Sequence, residues 1–243
     1  MKSLIDKDKF GPRAKVKNMG KEAIEVFWAS GSPFSWRVLL ALEAKEIEYV
    51  SRLLEFSKGQ LKAPEFLALN PRGKVPVVKM GNVVVYESMA ILAYLDRQFP
   101  KTPLFGQTPQ DAGTIWRLCS ECMSYLEGPV MGVTRPLFSA GAENKGDEIR
   151  AAAEKAHAEL VRLERFAASA PWLAGDALSA ADIAVFPILM TLSRAASKEA
   201  AKPFQLGLEP LADRYPALEA WRGRIEAIPG YERTYPPHWR EKS

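Results

Sequence analysis

The sequence is short of the residue types that most often hold metals or cross-link chains. Its 243 residues include two cysteines and two histidines, too few for a disulfide framework or a standard four-ligand zinc site. No uninterrupted apolar run approaches the roughly 18 residues that a membrane-spanning helix needs. These shortages argue against disulfide-rich, zinc-binding and membrane proteins, so we expect neither a bound metal nor a membrane partner.

An excess of one charge sign is also missing from most of the chain. Residues 1–22 carry seven lysines and arginines against three acids, and the remainder carries 26 of each sign. The isoelectric point of about 9.0 therefore reflects a basic N-terminal extension, and we expect no nucleic-acid partner. The extension has no apolar core and contains Asp6 and Asp8, unlike a secretory signal or a transit peptide. We expect a cytoplasmic protein.

Residues 23–100 show the periodicity of an α/β domain. The pattern predicts elements in the order β-α-β-α-β-β-α, which is the order of a thioredoxin-like domain. Ser32 and Ser88 are typical N-cap or helix-start residues, and Pro33 follows Ser32 at the first helical position. The predicted bounds are strand 24–28, helix 33–45, strand 48–54, a short helix near 64–69, a hairpin of strands 76–80 and 83–86, and helix 88–99.

The rest of the chain reads as an all-helical second domain over 109–243, joined by a linker at 101–108. Apolar residues recur at three- and four-residue spacing, and no segment has a convincing strand pattern. The predicted helices cover 111–127, 147–168, 179–196 and 216–228.

Four motifs in these two domains resemble those of serine-type glutathione transferases. They are SGSPFSWRV at 30–38, NPRGKVP at 70–76, ES at 87–88 and GDALSAAD at 175–182. Each motif alone is a weak signal, and their order across both domains carries the resemblance. The first motif is most similar to the tau, zeta and rho branches. The resemblance implies the glutathione transferase fold, glutathione as co-substrate and a homodimer.

Ser32 has a structural and a catalytic interpretation. As an N-cap its hydroxyl would satisfy a backbone N–H, a contribution of about 1 kcal/mol. The resemblance implies that this hydroxyl donates a hydrogen bond to the sulfur of glutathione, where a helix N-terminus also favours the thiolate. Ser30 and Ser35 are alternates, because loop geometry decides which hydroxyl faces the sulfur. Arg37, just inside the helix, would support either the turn or the sulfur site.

The resemblance also implies backbone and helix-end contacts to glutathione. In the family the proline at position 76 follows a cis peptide bond, which would offer the backbone of Val75 to the cysteinyl part. The alternative is a proline that opens an edge strand. Glu87 and Ser88 would meet the γ-glutamyl ammonium and carboxylate groups, although helix capping alone would also explain the pair.

Two lysines complete the glutathione site that the resemblance implies. Lys74 and Lys62 would pair with the glycyl carboxylate, and the competing interpretation is that both are solvated surface residues. Leu61 stands beside Lys62 where some relatives have histidine, so this corner departs from the family pattern.

The pocket for the electrophile should lie against the second domain, and its aromatic wall is the least determined part of the site. Four side chains are candidates, and for each we expect ordinary core packing as the competing role. They are Phe34, Trp116, Tyr125 and Phe138.

Two further patterns are predicted to be structural. Cys119 and Cys122 spell C-x-x-C, but they lie inside a predicted helix among apolar residues, which favours a core position over redox chemistry. Ser179 and Asp182 match a helix capping box.

Position 32 holds serine where disulfide-exchanging members of the family have cysteine, which disfavours thiol–disulfide exchange.

The sequence therefore predicts a glutathione transferase that conjugates the glutathione thiolate to an electrophilic, largely apolar small molecule. Two alternatives use the same fold: a glutathione-dependent isomerase of maleyl-type double bonds, or a peroxidase. An alternative of another class is a non-catalytic ligand-binding protein.

Overall fold

The computed structural model describes residues 22–240, so the predicted basic extension, apart from Glu22, lies outside the described residues. A four-stranded mixed sheet has the strand order β2-β1-β3-β4. β1 and β2 are parallel, whereas β3 is antiparallel to both of its neighbours. The strands are β1 (Ile24–Trp28), β2 (Val50–Leu53), β3 (Val77–Met80) and β4 (Val83–Tyr86). The predicted thioredoxin-like order is confirmed.

The register of the sheet brings four connecting segments to one end. Val77, the first residue of β3, pairs with Phe27 of β1 on one side and with Tyr86 of β4 on the other. Leu53, the last residue of β2, pairs with Trp28, the last residue of β1. The segments that follow β1, β2 and β4 therefore start at the same end of the sheet as the segment that precedes β3.

Helices surround this sheet and continue into an all-helical second domain. The first helix starts where it was predicted, with Ser32 as the N-cap and Pro33 at the first position. The helices of the first domain are α1 (Pro33–Ala44), α2 (Pro64–Leu67) and α3 (Ser88–Gln98). Those of the second domain are α4 (Pro109–Glu121), α5 (Glu127–Phe138), α6 (Gly146–Ser169), α7 (Ala180–Ala196), α8 (Pro216–Glu226) and α9 (Tyr231–Thr234). No helix within 22–240 has both the length and the apolar character of a membrane span.

The prediction for the first helix of the second domain was too short. A π-helical segment, Cys122–Leu126, joins α4 to α5, so the chain stays helical from 109 to 138. The predicted helix ended at 127. Pro129 lies in the first turn of α5, where a missing backbone N–H is tolerated.

Helix α7 lies at the centre of a core that both domains share. Its residues from Ala180 to Ser193 are all buried, and it packs against α1, α4 and α5. Asp182, in its first turn, has no exposed surface and accepts four hydrogen bonds of 2.8–2.9 Å. Two of them come from the N–H and hydroxyl groups of Ser179, so the predicted capping box is confirmed.

The two cysteines also lie in this core, as the sequence indicated. Both are free thiols with almost no exposed surface. Burial raises the pKa of Cys119 and of Cys122 to about 12. A thiol in this state is not a nucleophile near neutral pH, since the thiolate is the reactive form.

We expect both cysteines to resist a disulfide reagent in the folded protein at pH 8. A rise of the thiol pKa from 9.0 to about 12 lowers the thiolate fraction about a thousandfold, and burial also blocks the reagent. A colorimetric thiol titration should find almost no reaction in buffer and two thiols per chain in urea. Rapid reaction of one thiol in buffer would show that the helix around 119–122 opens readily.

Candidate active site

Ser32 lies at the start of α1, at the end of the sheet where the four segments converge. Its side chain is partly exposed, and its Oγ accepts a hydrogen bond from the backbone N–H of Ser35 at 3.2 Å. The hydroxyl oxygen therefore caps the helix while its hydrogen stays available for donation to a ligand. The N-terminus of α1 adds partial positive charge at the same point. The capping and catalytic interpretations are compatible.

The two alternate serines of this turn are placed differently. Ser35 has no exposed surface, and its Oγ lies 3.5 Å from the backbone nitrogen of Ala29, which donates to it. A side chain without exposed surface cannot touch a bound ligand, so the role of Ser35 is corrected to a structural one. Ser30 is partly exposed, and its Oγ lies 2.6 Å from Nδ1 of His238.

The peptide bond between Val75 and Pro76 is cis, as the resemblance implied. Both residues are buried, and β3 begins at the next residue, Val77. Because Val77 pairs with Phe27 near the end of β1, this peptide lies beside the turn that leads to Ser32. The Asn70 side chain holds the preceding loop by donating to the carbonyl of Lys74 at 2.7 Å.

Glu87 and Ser88 stand at the start of α3, at the same end of the sheet. Glu87 has a positive φ of 69°, an unusual conformation for a residue other than glycine. Its exposed carboxylate lies 3.9 Å from Nε of Arg72. Such backbone strain clusters at ligand sites. Ser88 is buried, and its Oγ accepts a hydrogen bond from Nη1 of Arg37 at 3.4 Å.

The two lysines lie on adjacent segments at the rim of this region. Both side chains are exposed. A Cβ on Gly73 would come within 2.9 Å of the carbonyl oxygen of Leu61, so the chain beside Lys74 touches the chain beside Lys62. The structure brings the two residues together, and their exposure leaves both ammonium groups accessible to a carboxylate.

Arg37 connects the two domains from the interior, and neither role expected for it is met. Its side chain is 1% exposed and its bonds go neither to the turn nor to Ser32. Nη2 donates to Oε1 of Glu127 at 2.7 Å, and Nε donates to the carbonyl of Ala184 at 2.9 Å. The guanidinium therefore links Ser88, at the start of α3, to α5 and α7 of the helical domain. No local sequence pattern marks Glu127 as a partner, because it lies 90 residues from Arg37 in the chain.

The four aromatic candidates do not form one pocket wall. Trp116, Tyr125 and Phe138 are 39%, 60% and 45% exposed, so core packing was the wrong expectation for these three. Their helices bury the opposite face instead, at residues such as Leu118. Trp116 and Phe138 are separated by about 33 Å of helix, at 1.5 Å per residue. Phe34 is partly buried, 5.2 Å from the Arg37 guanidinium.

Comparisons with known proteins agree with this geometry. Residues 31–98 match the family model for the glutathione S-transferase N-terminal domain, and residues 146–224 match the model for the C-terminal domain. The chain is 30% identical over 221 residues to glutathione S-transferase A of Pleuronectes platessa, covering 89% of this chain and 92% of that protein. It belongs to the glutathione S-transferase family. The resemblance and the expected co-substrate, glutathione, are thereby confirmed.

A solved structure supports the fold of this transferase over nearly its whole length. The crystal structure of a glutathione S-transferase from the Antarctic clam Laternula elliptica superposes with a TM-score of 0.76 and 30% identity, covering 91% of this chain and 95% of that one. The transferase is also 26% identical to maleylacetoacetate isomerase of Rattus norvegicus over 219 residues, which is 89% of this chain and 93% of the isomerase. These relatives do not single out the tau, zeta or rho branch.

Proposed function

We propose that this transferase conjugates glutathione to the electrophilic carbon of a small, largely apolar molecule. Ser32 would hold the glutathione sulfur as its thiolate. One observation carries the proposal: a partly exposed hydroxyl with a hydrogen to donate caps α1 at the end of the sheet where the cis peptide and the start of α3 also lie.

The reaction needs two main contributions from the protein, which are stabilisation of the thiolate charge and positioning of the two reactants. A free thiol with a pKa of about 8.5 is about 3% ionised at pH 7, and the thiolate is the nucleophile. Donation from Ser32 and the positive end of α1 both favour the anion. The sulfur then forms a bond to the electrophilic carbon, and the leaving group departs with the electron pair of the broken bond. Holding the two reactants together supplies much of the acceleration.

The rest of the tripeptide would bind along the same end of the sheet. The backbone N–H and C=O of Val75 would pair with the cysteinyl unit. Ser88, at the N-terminus of α3, would hold the γ-glutamyl carboxylate, and Glu87 would face the ammonium group. Lys62 and Lys74 would pair with the glycyl carboxylate.

The test is an ultraviolet difference titration of bound glutathione in the wild type and in Ser32→Ala. Without the hydroxyl donor we expect the thiol pKa of bound glutathione to rise by about two units, equivalent to about 2.7 kcal/mol. The kcat/KM at neutral pH should fall up to about 100-fold. The cap is worth only about 1 kcal/mol of stability, so the variant should fold.

Ser32→Thr is the matched control, because threonine keeps both the hydroxyl and the capping group. It should retain most of the thiolate stabilisation. Thiolate formation at the same pH in wild type and Ser32→Ala would refute the role given to Ser32.

The assembly, the cellular location and the domain boundaries belong to the same proposal. We propose a homodimer, as the resemblance to the family implies. Light scattering should then find twice the chain mass of 27.0 kDa.

The free thiols fit a reducing cytoplasm. The domains would meet at a linker over 101–108, between α3 and α4.

A glutathione-dependent isomerase is the second candidate. The Ser-Trp-Arg element and the similarity to the rat isomerase favour it. Pro33 and Phe34 stand where such enzymes have serine and cysteine, which favours conjugation. Total thiol separates the two reactions, since isomerisation leaves it unchanged and conjugation consumes it.

A further inference from the structure

The last described residues of the chain run along α1 in the direction opposite to the helix. We call residues 231–240 the C-terminal strap. Near the C-terminal end of α1, Arg233 forms an ion pair with the buried carboxylate of Glu43, with Nε at 3.0 Å from Oε1. One residue later, Thr234 Oγ1 accepts a hydrogen bond from the indole nitrogen of Trp36 at 2.9 Å. The strap is therefore attached near both ends of α1, at Glu43 and at Trp36.

The strap then reaches the turn that precedes Ser32. Nδ1 of His238 lies 2.6 Å from Oγ of Ser30. A Cβ on Gly31 would come within 2.7 Å of Cε1 of the same imidazole, so the ring lies directly on the backbone of the turn. Gly31 has a φ of +82°, a conformation that glycine adopts without strain. His238 thus contacts the two residues immediately before Ser32.

Aromatic packing holds the strap on both sides of His238. Tyr235 and Trp239, which flank it in the strap, both pack edge-on against Trp36, with ring centroids 5.8 and 5.4 Å away. The guanidinium carbon of Arg194, on α7, lies 4.8 Å from the centroid of the Trp239 ring. Since Trp36 is almost fully buried, the strap is docked on the core.

We propose that His238 is a positioning residue for the sulfur-binding turn. Glycine has more backbone freedom than any other residue, so a turn containing Gly31 can present Ser32 in several orientations. The contacts of His238 with Ser30 and Gly31 restrict that freedom and hold the Ser32 hydroxyl toward the sulfur. The inference rests on the proposed function, because it gives Ser32 a sulfur to face.

The decisive experiment compares His238→Ala with His238→Asn in the full-length protein. Loss of one orienting hydrogen bond should lower kcat/KM for conjugation about fivefold in His238→Ala, mainly through kcat. The thiol pKa of bound glutathione should rise, while KM for glutathione stays within about twofold, because its other contacts are untouched. His238→Asn should restore most of the activity, since its amide can donate to or accept from Ser30.

Arg240→Ala is the matched control. Arg240 lies two residues beyond His238, but it bonds to Glu232 within the strap and not to the turn. This variant should match the wild type in kcat/KM and in thiol pKa. A double-mutant cycle of His238→Ala with Ser30→Ala should show coupling, since both remove the same hydrogen bond.

Two outcomes would overturn the inference. One is a His238→Ala protein with a lower melting temperature but an unchanged thiol pKa, which would make the strap merely structural. The other is an equal loss of kcat/KM in Arg240→Ala. A failure of the proposed function itself can be distinguished from these outcomes. In that case the thiol pKa of bound glutathione would be unchanged in Ser32→Ala as well as in His238→Ala.

Discussion

Replacing Arg37 by methionine should lower the free energy of unfolding by about 3–5 kcal/mol and weaken glutathione binding about tenfold. The guanidinium is buried and donates to Glu127, Ala184 and Ser88. Removal leaves a largely buried carboxylate without its partner, which is the costly way to break an internal ion pair. The hydroxyl of Ser88, which we propose binds the γ-glutamyl carboxylate, also loses its hydrogen-bond donor.

A second substitution, at Glu127, separates the effect of Arg37 on stability from its effect on glutathione binding. In Arg37→Met/Glu127→Leu no unpaired charge remains, and apolar replacement of a buried pair is often neutral for stability. Urea unfolding should therefore show much of the lost stability restored, whereas calorimetry should still find weak glutathione binding. Wild-type affinity in the stable double variant would contradict the link between Arg37 and Ser88.

The parts of the fold that the sequence predicted are those fixed by neighbouring residues. Ser32-Pro33 marks the start of α1, because a capping hydroxyl and a proline at the first position act within one turn. The hairpin around Gly81-Asn82 was likewise predicted from turn residues between two apolar runs. The second domain was harder, because the predicted helix ended at 127 whereas the chain stays helical through Gly128 and Pro129 to Phe138.

The contacts that complete the candidate site join residues far apart in the chain. His238 and Ser30 are 208 positions apart, and Arg37 and Glu127 are 90 apart. Neither pair has a local signal, since each depends on how α1 docks against the helical domain. The exposure of Trp116 could not be predicted either, because apolar spacing shows which residues share a face and not what covers it.

The shared placement of the α1 and α3 N-termini supports the proposal that a small set of residues binds a tripeptide with two carboxylates and a thiol. Both helices begin at the same end of the sheet, so two positive helix ends lie at the proposed glutathione site. Ser32 starts one of them and Ser88 the other. Arg37 connects the second helix to the first and to the helical domain.

Asp182→Ala should be the most destabilising substitution that leaves the chemistry intact, with a loss of about 4 kcal/mol in the free energy of unfolding. Its carboxylate has no exposed surface and accepts hydrogen bonds from Ser179, Leu173 and Trp221. Alanine would leave the buried N–H groups of all three residues without an acceptor, and each such group costs about 1–3 kcal/mol.

Denaturant unfolding with two companion variants tests why Asp182 matters. Ser179→Ala removes only the capping hydroxyl and should cost about 1 kcal/mol, whereas Asp182→Asn keeps the shape with one acceptor oxygen and should fall between the other two. In each variant the kcat of the folded fraction should equal that of the wild type, since none of these residues lies at the proposed glutathione site. A loss in Asp182→Ala no larger than in Ser179→Ala would show that the carboxylate is not the centre of this network. A fall in kcat without a loss of stability would place it in the reaction instead.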